Sequence, residues 1–340
     1  MSSETTRTSM VGVSIGTADV LRLARTPSDA PPTTAYLLLG GRCTCDCAFC
    51  SQARSSTARG DALSRVSWPA QEEGMTLEAL AEAYTGGRIV RACLQVTAGP
   101  GALAETRRLA AAIRRRAPLP VCAAVLPTSL DQVSRLLESG VEVVGFGLDA
   151  ATEEVYARVK MRAAGVPRRV AGPRAPWRRQ MTLIEAAARQ YPGRVSVHLI
   201  VGLGETEREM AGLMQRLADL RVIVALFAFT PVRGTALEAA PPPDLAAYRR
   251  VQVARHLIAG GLSQAERFQY DESGRITDFG LPVASLRALL ADGVAFQTSG
   301  CPGCNRPYYN ERPGGTLYNY ARRLTPEEVG QAIQDAVSPG

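Results

Sequence analysis

Short apolar runs alternate with helical patterns along most of the chain, and this alternation constrains the fold more than any other feature. The first run, TAYLLLG at 34–40, ends in glycine and predicts a buried strand. Further strands are predicted at 91–99, 119–127, 141–149, 194–204 and 222–232, with helices at 76–87, 103–117, 129–140 and 206–220. Near-continuous apolar strands that alternate with helices are typical of a parallel sheet covered by helices. We therefore expect an α/β fold of the (βα) TIM-barrel type, as a full or a partial barrel.

Three segments are expected along the chain. Residues 1–34 are polar or only briefly patterned and predict an N-terminal lead-in segment, while residues 35–290 predict the (βα) barrel. The alternation weakens after residue 235, and residues 291–340 predict an irregular C-terminal cap, rich in Gly, Pro, Tyr and Asn around 300–320. In such barrels the functional residues lie at the carboxyl ends of the strands.

Four of the eight cysteines lie in RCTCDCAFCSQAR (42–54), directly after the first predicted strand. Cys43, Cys47 and Cys50 have the spacing C-x3-C-x2-C, which leaves Cys45 over as a bystander. Three thiolates on one short loop can each bind one iron of a 4Fe-4S cluster and leave the fourth iron open to a small molecule.

Features that the sequence lacks indicate the cellular compartment and the type of metal site that we expect. The N-terminus has no charged-then-apolar signal pattern and no run of about 18 apolar residues occurs, so we expect a cytoplasmic protein without a membrane span. In a reducing cytosol, clustered cysteines bind metal or do redox work more often than they form disulfides. Zinc is disfavoured, because the two histidines, His198 and His256, are distant in sequence from the thiols.

The net charge of +7 is concentrated in residues 158–179. This stretch has no acidic residue and carries Arg158, Lys160, Arg162, Arg168, Arg169, Arg174, Arg178 and Arg179. One interpretation is a solvated loop, and the other is a docking strip for an acidic carrier protein or an anionic substrate. Nucleic acid is disfavoured, since Trp177 is the one aromatic among the arginines. Lys160 is the only lysine, which excludes a P-loop lysine and disfavours Schiff-base chemistry.

The first cysteine motif, with Phe49 before its last cysteine, resembles the signature of the radical S-adenosylmethionine (SAM) family. The resemblance implies that Cys43, Cys47 and Cys50 hold a 4Fe-4S cluster whose open iron binds SAM. It also implies that cleavage of SAM yields a radical that takes hydrogen from an unactivated carbon.

Further motifs fit the same resemblance and imply the SAM site. VTAG (96–99) lies where the family contacts the SAM amino group, and IVGLGET (200–206) lies where it packs along the adenine. GLDA (147–150) ends the fourth predicted barrel strand on the working face. The implied cofactor-binding residues are Phe49, Thr97, Ala98, Gly99, Asp149, Ile200, Gly202 and Glu205.

Over about 35–260 the chain is most similar to biotin synthase, in which a second cluster donates sulfur. Cys93 and Cys122 stand where two of its ligands are expected, but the fifth barrel strand offers Ser196 or His198 in place of a cysteine. The cap carries C-P-G-C, and Cys301 and Cys304 would complete four thiolates for an auxiliary 4Fe-4S cluster. Alternatively, Cys93 and Cys122 are ordinary buried core cysteines that bind no cluster.

The cap pattern, together with SIGTADVL (14–21), residues 32–54 and SRVSWP (64–69), resembles the two-component lipoyl synthases. This implies a sulfurtransferase that adds sulfur to an octanoyl chain on a lipoyl carrier protein or domain. A second lipoyl synthase component and a reductant such as ferredoxin or flavodoxin are the implied partners. Three alternatives stay open: a biotin synthase-type enzyme acting on dethiobiotin, an enzyme using the auxiliary cluster for electron transfer, and a non-catalytic iron–sulfur scaffold, which the SAM motifs disfavour.

Overall fold

A computed structural model describes residues 9–26, 28–160, 176–312 and 314–337 of the chain. Its strands are β1 (Met10–Val13), β2 (Thr34–Leu39), β3 (Ala62–Leu63), β4 (Val66–Ser67), β5 (Ala70–Glu72), β6 (Arg91–Val96), β7 (Val121–Val125), β8 (Val141–Asp149), β9 (Val195–Val201), β10 (Ile223–Ala228), β11 (Gln269–Tyr270) and β12 (Ile276–Asp278). Its α-helices are α1 (Ile15–Val20), α2 (Glu73–Thr85), α3 (Ala102–Arg116), α4 (Leu130–Glu138), α5 (Glu153–Lys160), α6 (Pro176–Gln190), α7 (Glu207–Ala218), α8 (Leu245–Ala259), α9 (Val283–Leu290) and α10 (Pro326–Val337).

One eight-stranded sheet organises the molecule, in the order β10-β9-β8-β7-β6-β2-β1-β5. The six strands from β10 to β2 pair in parallel, whereas β1 pairs antiparallel with both β2 and β5. The predicted α/β fold with a parallel sheet is confirmed, and within the described residues the sheet is open, with β10 and β5 at its edges. The molecule is therefore the partial form of the barrel.

The two antiparallel strands were not predicted. Residues 1–34 were expected to form only a lead-in segment, but β1 joins the central sheet and α1 follows it directly. The side chain of Ser14 caps α1 by accepting from the Thr17 amide at 3.4 Å. Strands of three or four residues show too little alternation for the sequence pattern to identify them.

Side chains of the parallel strands alternate between two apolar layers. Leu37, Leu94 and Leu199 are fully buried on the face that packs against the helices. The opposite, inner face carries Tyr36 and Cys93 with their neighbours, and it forms a separate buried cluster. The alternation thus directs one set of residues to the helical layer and the other set to the interior of the partial barrel.

Side chains of the C-terminal cap form hydrogen bonds with backbone groups at the free edge of β10. The Leu226 amide donates to Ser299 Oγ at 2.8 Å, and the Leu226 carbonyl accepts from Arg306 Nη2 at 3.2 Å. Asn310 Nδ2 donates to the Ala228 carbonyl at 2.8 Å. Because an edge strand leaves backbone groups unpaired, these side chains hold the cap against the sheet.

None of the helices in the described residues has the length and apolar character that a membrane crossing requires. Of the basic stretch 158–179, residues 161–175 lie outside the described part of the chain.

A buried ion pair fastens α7, which starts directly after the IVGLGET motif, to α8. Arg250 Nη2 lies 2.7 Å from Glu207 Oε1, and both side chains are about nine-tenths buried. We expect Glu207→Gln to reduce the free energy of unfolding by about 3 kcal/mol, because it leaves the buried guanidinium without a counter-charge. Anaerobic urea unfolding measures the change. The control is Asp131→Asn, which breaks the exposed pair with Arg135 and should cost about 0.5 kcal/mol or less; equal losses in the two variants would contradict the prediction.

Candidate functional site

The loop that carries Cys43, Cys47 and Cys50 lies at the carboxyl end of β2, on the face where barrel enzymes place their functional residues. Backbone hydrogen bonds dock it on two neighbouring elements. The Thr44 amide donates to the Ala98 carbonyl at 2.8 Å, and the Ala48 amide donates to the Val159 carbonyl at 2.7 Å. The loop therefore spans from the end of β6 to the end of α5.

The thiols of this loop differ in acidity. A hydrogen bond with Cys45 lowers the pKa of Cys43 to about 6, whereas burial raises the pKa of Cys47 to about 12 and that of Cys50 to about 11. The contact with Cys45 therefore makes Cys43 the most acidic thiol of the loop. The thiol and the amide of Cys45 both contact the Cys43 sulfur, with a distance of 3.4 Å from the amide nitrogen. That Cys45 is not a cluster ligand stays a prediction.

The single lysine is buried beside this loop. Lys160 Nζ lies 2.7 Å from Asp149 Oδ2 and also donates to the Gly147 carbonyl. Burial opposes its charge, but Asp149 and the Cys47 thiol together raise the pKa of Lys160 above its ordinary value. In the sequence Lys160 belonged to the basic stretch; in the structure it provides a positive charge at the thiol loop.

Two of the VTAG residues that are predicted to contact SAM already form hydrogen bonds within the protein. Thr97 Oγ1 donates to the Leu39 carbonyl at 3.1 Å, and the Ala98 carbonyl accepts from the amide and the hydroxyl of Thr44. Space around the Gly99 α-carbon is open, so a ligand can approach the backbone there.

The predicted adenine motif forms a tight turn at the end of β9. Gly202 has a φ of 100°, and a Cβ there would lie 2.9 Å from Pro243. The Glu205 carboxylate accepts from the Gly202 amide at 2.6 Å and from the Leu203 amide at 3.0 Å. Glu205 thus stabilises the turn, while Ile200 lines the cavity above the thiol loop's Cys50.

The other predicted ligand set lies deeper in the barrel. Cys93 on β6 pairs directly with Cys122 on β7, so both side chains enter the interior side by side. The Cys122 thiol contacts those of Cys93 and Cys301, and these contacts together with burial raise the pKa of Cys122. The contact with Cys122 lowers the pKa of Cys301 to about 7. Cys304 lies near Cys93 and Cys301, and the structure therefore brings all four thiols of this set together.

The C-P-G-C turn is held at the amino ends of the strands. The Gly303 carbonyl accepts from the hydroxyls of Thr33 at 2.7 Å and Thr34 at 2.9 Å. Gly303 has a φ of 77°, and a Cβ there would lie 2.6 Å from Val90. The Arg91 guanidinium donates to the Pro302 carbonyl at 3.0 Å. Glycine is therefore required for the turn to approach the sheet.

A buried arginine accompanies the inner thiols. Arg306 Nη1 lies 3.7 Å from Cys304 Sγ, and its guanidinium stacks 4.0 Å from the Phe227 ring centroid. Within the described part of the chain it forms no ion pair with a carboxylate. Burial opposes the charge, but Cys304 and Tyr36 raise the pKa of Arg306 above its ordinary value. The positive charge is therefore kept in an interior that contains thiols, phenols and the buried carboxylate of Glu311.

Two neighbouring cavities lie beside the thiol sets. A cavity of about 30 Å³ lies among the inner thiols, and one of about 140 Å³ is lined by Cys50 and Phe49. Gln95, His198, Phe227 and Tyr309 line both cavities. Burial lowers the pKa of His198 to about 4, so its ring is neutral at pH 7.

No group of three or more His, Cys, Asp or Glu side chains in the described ranges is arranged to hold a metal ion. In an iron–sulfur cluster each thiolate binds a different iron, so the thiols need to surround a space rather than meet at one point. The finding therefore bears on a single-ion site such as zinc and not on a cluster.

Sequence reasoning missed four polar residues of this interior: Tyr36, Lys160, Arg306 and Tyr309. Of these, only the status of Lys160 as the single lysine was a signal in the sequence. Tyr36 is conspicuous only once the fold is known, because its hydroxyl lies 3.4 Å from Cys304 Sγ and accepts from the Arg306 amide at 2.8 Å.

Among curated proteins, the chain is similar to a mitochondrial lipoyl synthase of Clavispora lusitaniae (strain ATCC 42720), with 29% identity over 202 residues. That alignment covers 56% of this chain and only 44% of the relative's length.

Among solved structures, HydG, a maturase of the FeFe-hydrogenase, has the same fold at a TM-score of 0.50 and 11% identity, over 66% of this chain and 50% of that chain. The HydG of Carboxydothermus hydrogenoformans aligns at a TM-score of 0.49 and 16% identity, over 67% of this chain and 51% of that one. The sequence profile of the radical SAM superfamily matches residues 37–217, which is more than half of the chain. The chain therefore belongs to the radical SAM superfamily, a membership that implies a 4Fe-4S cluster and SAM.

Proposed function

We propose that this protein is a sulfur-inserting radical SAM enzyme, a lipoyl synthase component that adds sulfur to an unactivated carbon of a protein-bound octanoyl chain. Cys43, Cys47 and Cys50 hold the SAM-binding cluster in this proposal. Cys93, Cys122, Cys301 and Cys304 hold an auxiliary 4Fe-4S cluster that donates the sulfur.

One observation carries the proposal: two thiol sets lie in one barrel interior, and each lines one of two neighbouring cavities that share part of their walls. The cavity of about 140 Å³ reaches Cys50 at its upper end and shares four lining residues with the cavity of the inner thiols. A substrate carbon in this space is within reach of both sets. Sulfur insertion requires this arrangement, since the carbon that loses hydrogen is also the carbon that receives sulfur.

The inner residues fit an anionic cluster. Arg306 is a buried charge without a carboxylate partner in the described residues, and such a charge is costly unless an anion neutralises it. Four thiolates with a ferric–ferrous core supply a net negative charge, and the Cys93, Cys122, Cys301 and Cys304 sulfurs provide the full ligand number.

The outer residues fit the SAM-binding cluster. Cys43, Cys47 and Cys50 lie on one loop, and the ion pair of Lys160 with Asp149 lies beside it. When bound, the two clusters and SAM supply a carbon-centred radical chemistry and the sulfur atom that is inserted. The chain itself orients the groups and excludes water.

The lining of the intermediate cavity suits an alkyl chain. The rings of Phe49, Phe227 and Phe229 line it, and the neutral His198 adds no charge. The polar side chains of Gln95, Asp149 and Asn310 also line this cavity, so its apolar rings form one part of the wall. Apolar surface of this kind binds an apolar substrate segment. The similarity to a lipoyl synthase supports the same substrate class. Partners in this proposal are an octanoylated lipoyl domain, a second lipoyl synthase component and a reductant such as ferredoxin or flavodoxin.

Iron analysis tests the two ligand sets. Anaerobically reconstituted protein should contain about eight irons per chain, and Cys301→Ala/Cys304→Ala should retain about four, because only the auxiliary cluster loses ligands. Iron, sulfide and Mössbauer measurements give the count. The matched control is Cys45→Ala, which removes a cysteine from the first motif without removing a proposed ligand and should keep about eight. A count of about four in wild-type protein, unchanged by the double substitution, would exclude the auxiliary cluster.

Substitution of Arg306 tests its role as a counter-charge. Arg306→Met should lower the iron content to about four per chain, because the anionic auxiliary cluster loses its buried positive neighbour. Arg306→Lys should retain more iron than Arg306→Met, because lysine keeps the positive charge although it lacks the shape of the guanidinium group. Circular dichroism checks that each variant keeps the fold. Full iron content and an unchanged cluster midpoint potential in Arg306→Met would show that the charge is not needed.

The product assay separates the substrates. In the presence of SAM, a reductant and the second component, the reaction with an octanoylated lipoyl domain should yield 5′-deoxyadenosine and a thiolated octanoyl chain. Mass spectrometry measures both products. Dethiobiotin is the comparison substrate, because biotin synthases act on it as a free small molecule. Sulfur insertion into dethiobiotin alone would overturn the proposal, and deoxyadenosine without any thiolated product would favour an electron-transfer role of the inner thiols.

A further inference from the structure

A large cleft opens at the side of the molecule where the sheet does not close. Its volume is about 1,320 Å³, nearly ten times that of the largest interior cavity described above. One wall consists of residues that follow β1 and of the β3–β4 hairpin, and the other of residues 231–238, which follow β10. Cap residues 307–309, 311 and 312 complete it. The open edge of the barrel is therefore a path from solvent to the interior.

Tyr309 lies where the cleft meets the interior. It lines the cleft and both interior cavities, whereas Tyr36 joins the cleft to the inner thiol cavity and Ser64 joins it to the cavity near Cys50. Tyr309 is only 6% exposed, and its hydroxyl has no hydrogen-bond partner in the described residues. A buried hydroxyl without a partner costs about 1–3 kcal/mol, so this group indicates that a polar part of a ligand occupies the junction.

The cleft is positively charged. Four arginines and two glutamates line it: Arg59, Arg65, Arg233, Arg312, Glu238 and Glu311. The protein itself uses both carboxylates, since Glu311 accepts from the Asn319 amide at 2.9 Å and Glu238 accepts from the Gly234 amide at 2.6 Å.

Three of the arginines form no ion pair in the described residues, although the charge of Glu311 acts on Arg65. Arg59 is paired with Asp61 at 2.8 Å, but the other three form no ion pair within the part of the chain that the structure describes. Arg65 Nε is buried without a partner, and burial together with the charge of Arg312 lowers the pKa of Arg65. Two like charges held close together favour the binding of an anion between them.

We propose that this cleft is the docking surface for the acidic face of the folded carrier domain, and that the acyl chain of the domain passes Tyr309 into the barrel interior. The inference rests on the proposed function, because it assumes a protein-bound acyl substrate. It assigns the contact with the carrier to Arg65, Arg233 and Arg312.

Size and exposure favour a protein over a small carboxylate. Pockets for small molecules have volumes of about 300–1,000 Å³ and enclose most of their ligand. The cleft exceeds this range, and Arg233 and Arg312 are exposed on it as the charged rim residues of protein interfaces are.

The test measures binding directly. Octanoylated lipoyl domain with an acidic surface is titrated into anaerobically reconstituted protein by calorimetry, at about 50 mM and about 300 mM salt. We expect Arg233→Glu/Arg312→Glu to raise the dissociation constant about tenfold or more at low salt, with a smaller effect at high salt. The matched control, Arg107→Glu/Arg115→Glu, makes the same change of charge on exposed positions of α3 and should bind as wild type does.

A short octanoyl-lysine peptide without acidic residues serves as a second substrate, assayed by its thiolated product. The expected result is that the cleft variant processes the peptide at the wild-type rate, since the peptide does not need the arginines. Equal domain binding by wild type and the cleft variant overturns the docking surface. The docking surface is also overturned if the wild-type protein thiolates the peptide but does not bind the domain. Either result leaves the proposed function intact. Absence of both binding and thiolation overturns the two proposals together.

Discussion

The free edge of β10 is the constraint on which the interior of this protein depends. A parallel sheet that stops before closing leaves backbone donors and acceptors unpaired, and Ser299, Arg306 and Asn310 pair with them. The same contacts bring the C-P-G-C turn under the barrel, so that the cap cysteines meet the thiols of Cys93 and Cys122. One set of edge hydrogen bonds thereby joins residues that lie about 180 to 210 positions apart in the chain.

Positive charge is placed at both ends of the interior and is absent from its middle. Lys160 lies beside the outer thiol loop and Arg306 beside the inner thiols, while His198 between them is neutral. In a medium of low dielectric constant, fixed charges act strongly on nearby anions. Arg306 favours a negative group at the inner end, whereas the charge of Lys160 is paired with that of Asp149, which lines the intervening cavity.

The sequence predicted those parts of the fold that depend on local patterning. The predicted strand at 141–149 coincides with β8, and the helix predicted at 129–140 contains α4, which the Ser129 side chain caps. The first cysteine loop was identified because its spacing is local. Arg306 and Tyr309 were not identified, since an arginine and a tyrosine in an irregular segment are ordinary until the cap is seen to enter the barrel. The contact of Cys45 with the Cys43 sulfur was not predicted, because spacing does not describe contacts between neighbouring thiols.

The burial of Lys160 has a practical consequence for studies of this chain. Its 39 basic side chains are 38 arginines and this one lysine, and the side chain of Lys160 is only 8% exposed. A protease that cleaves after lysine thus has one internal target, at the end of α5 and beside the thiol loop. Cleavage there reports the local opening of that region against a background in which the remainder of the chain is resistant.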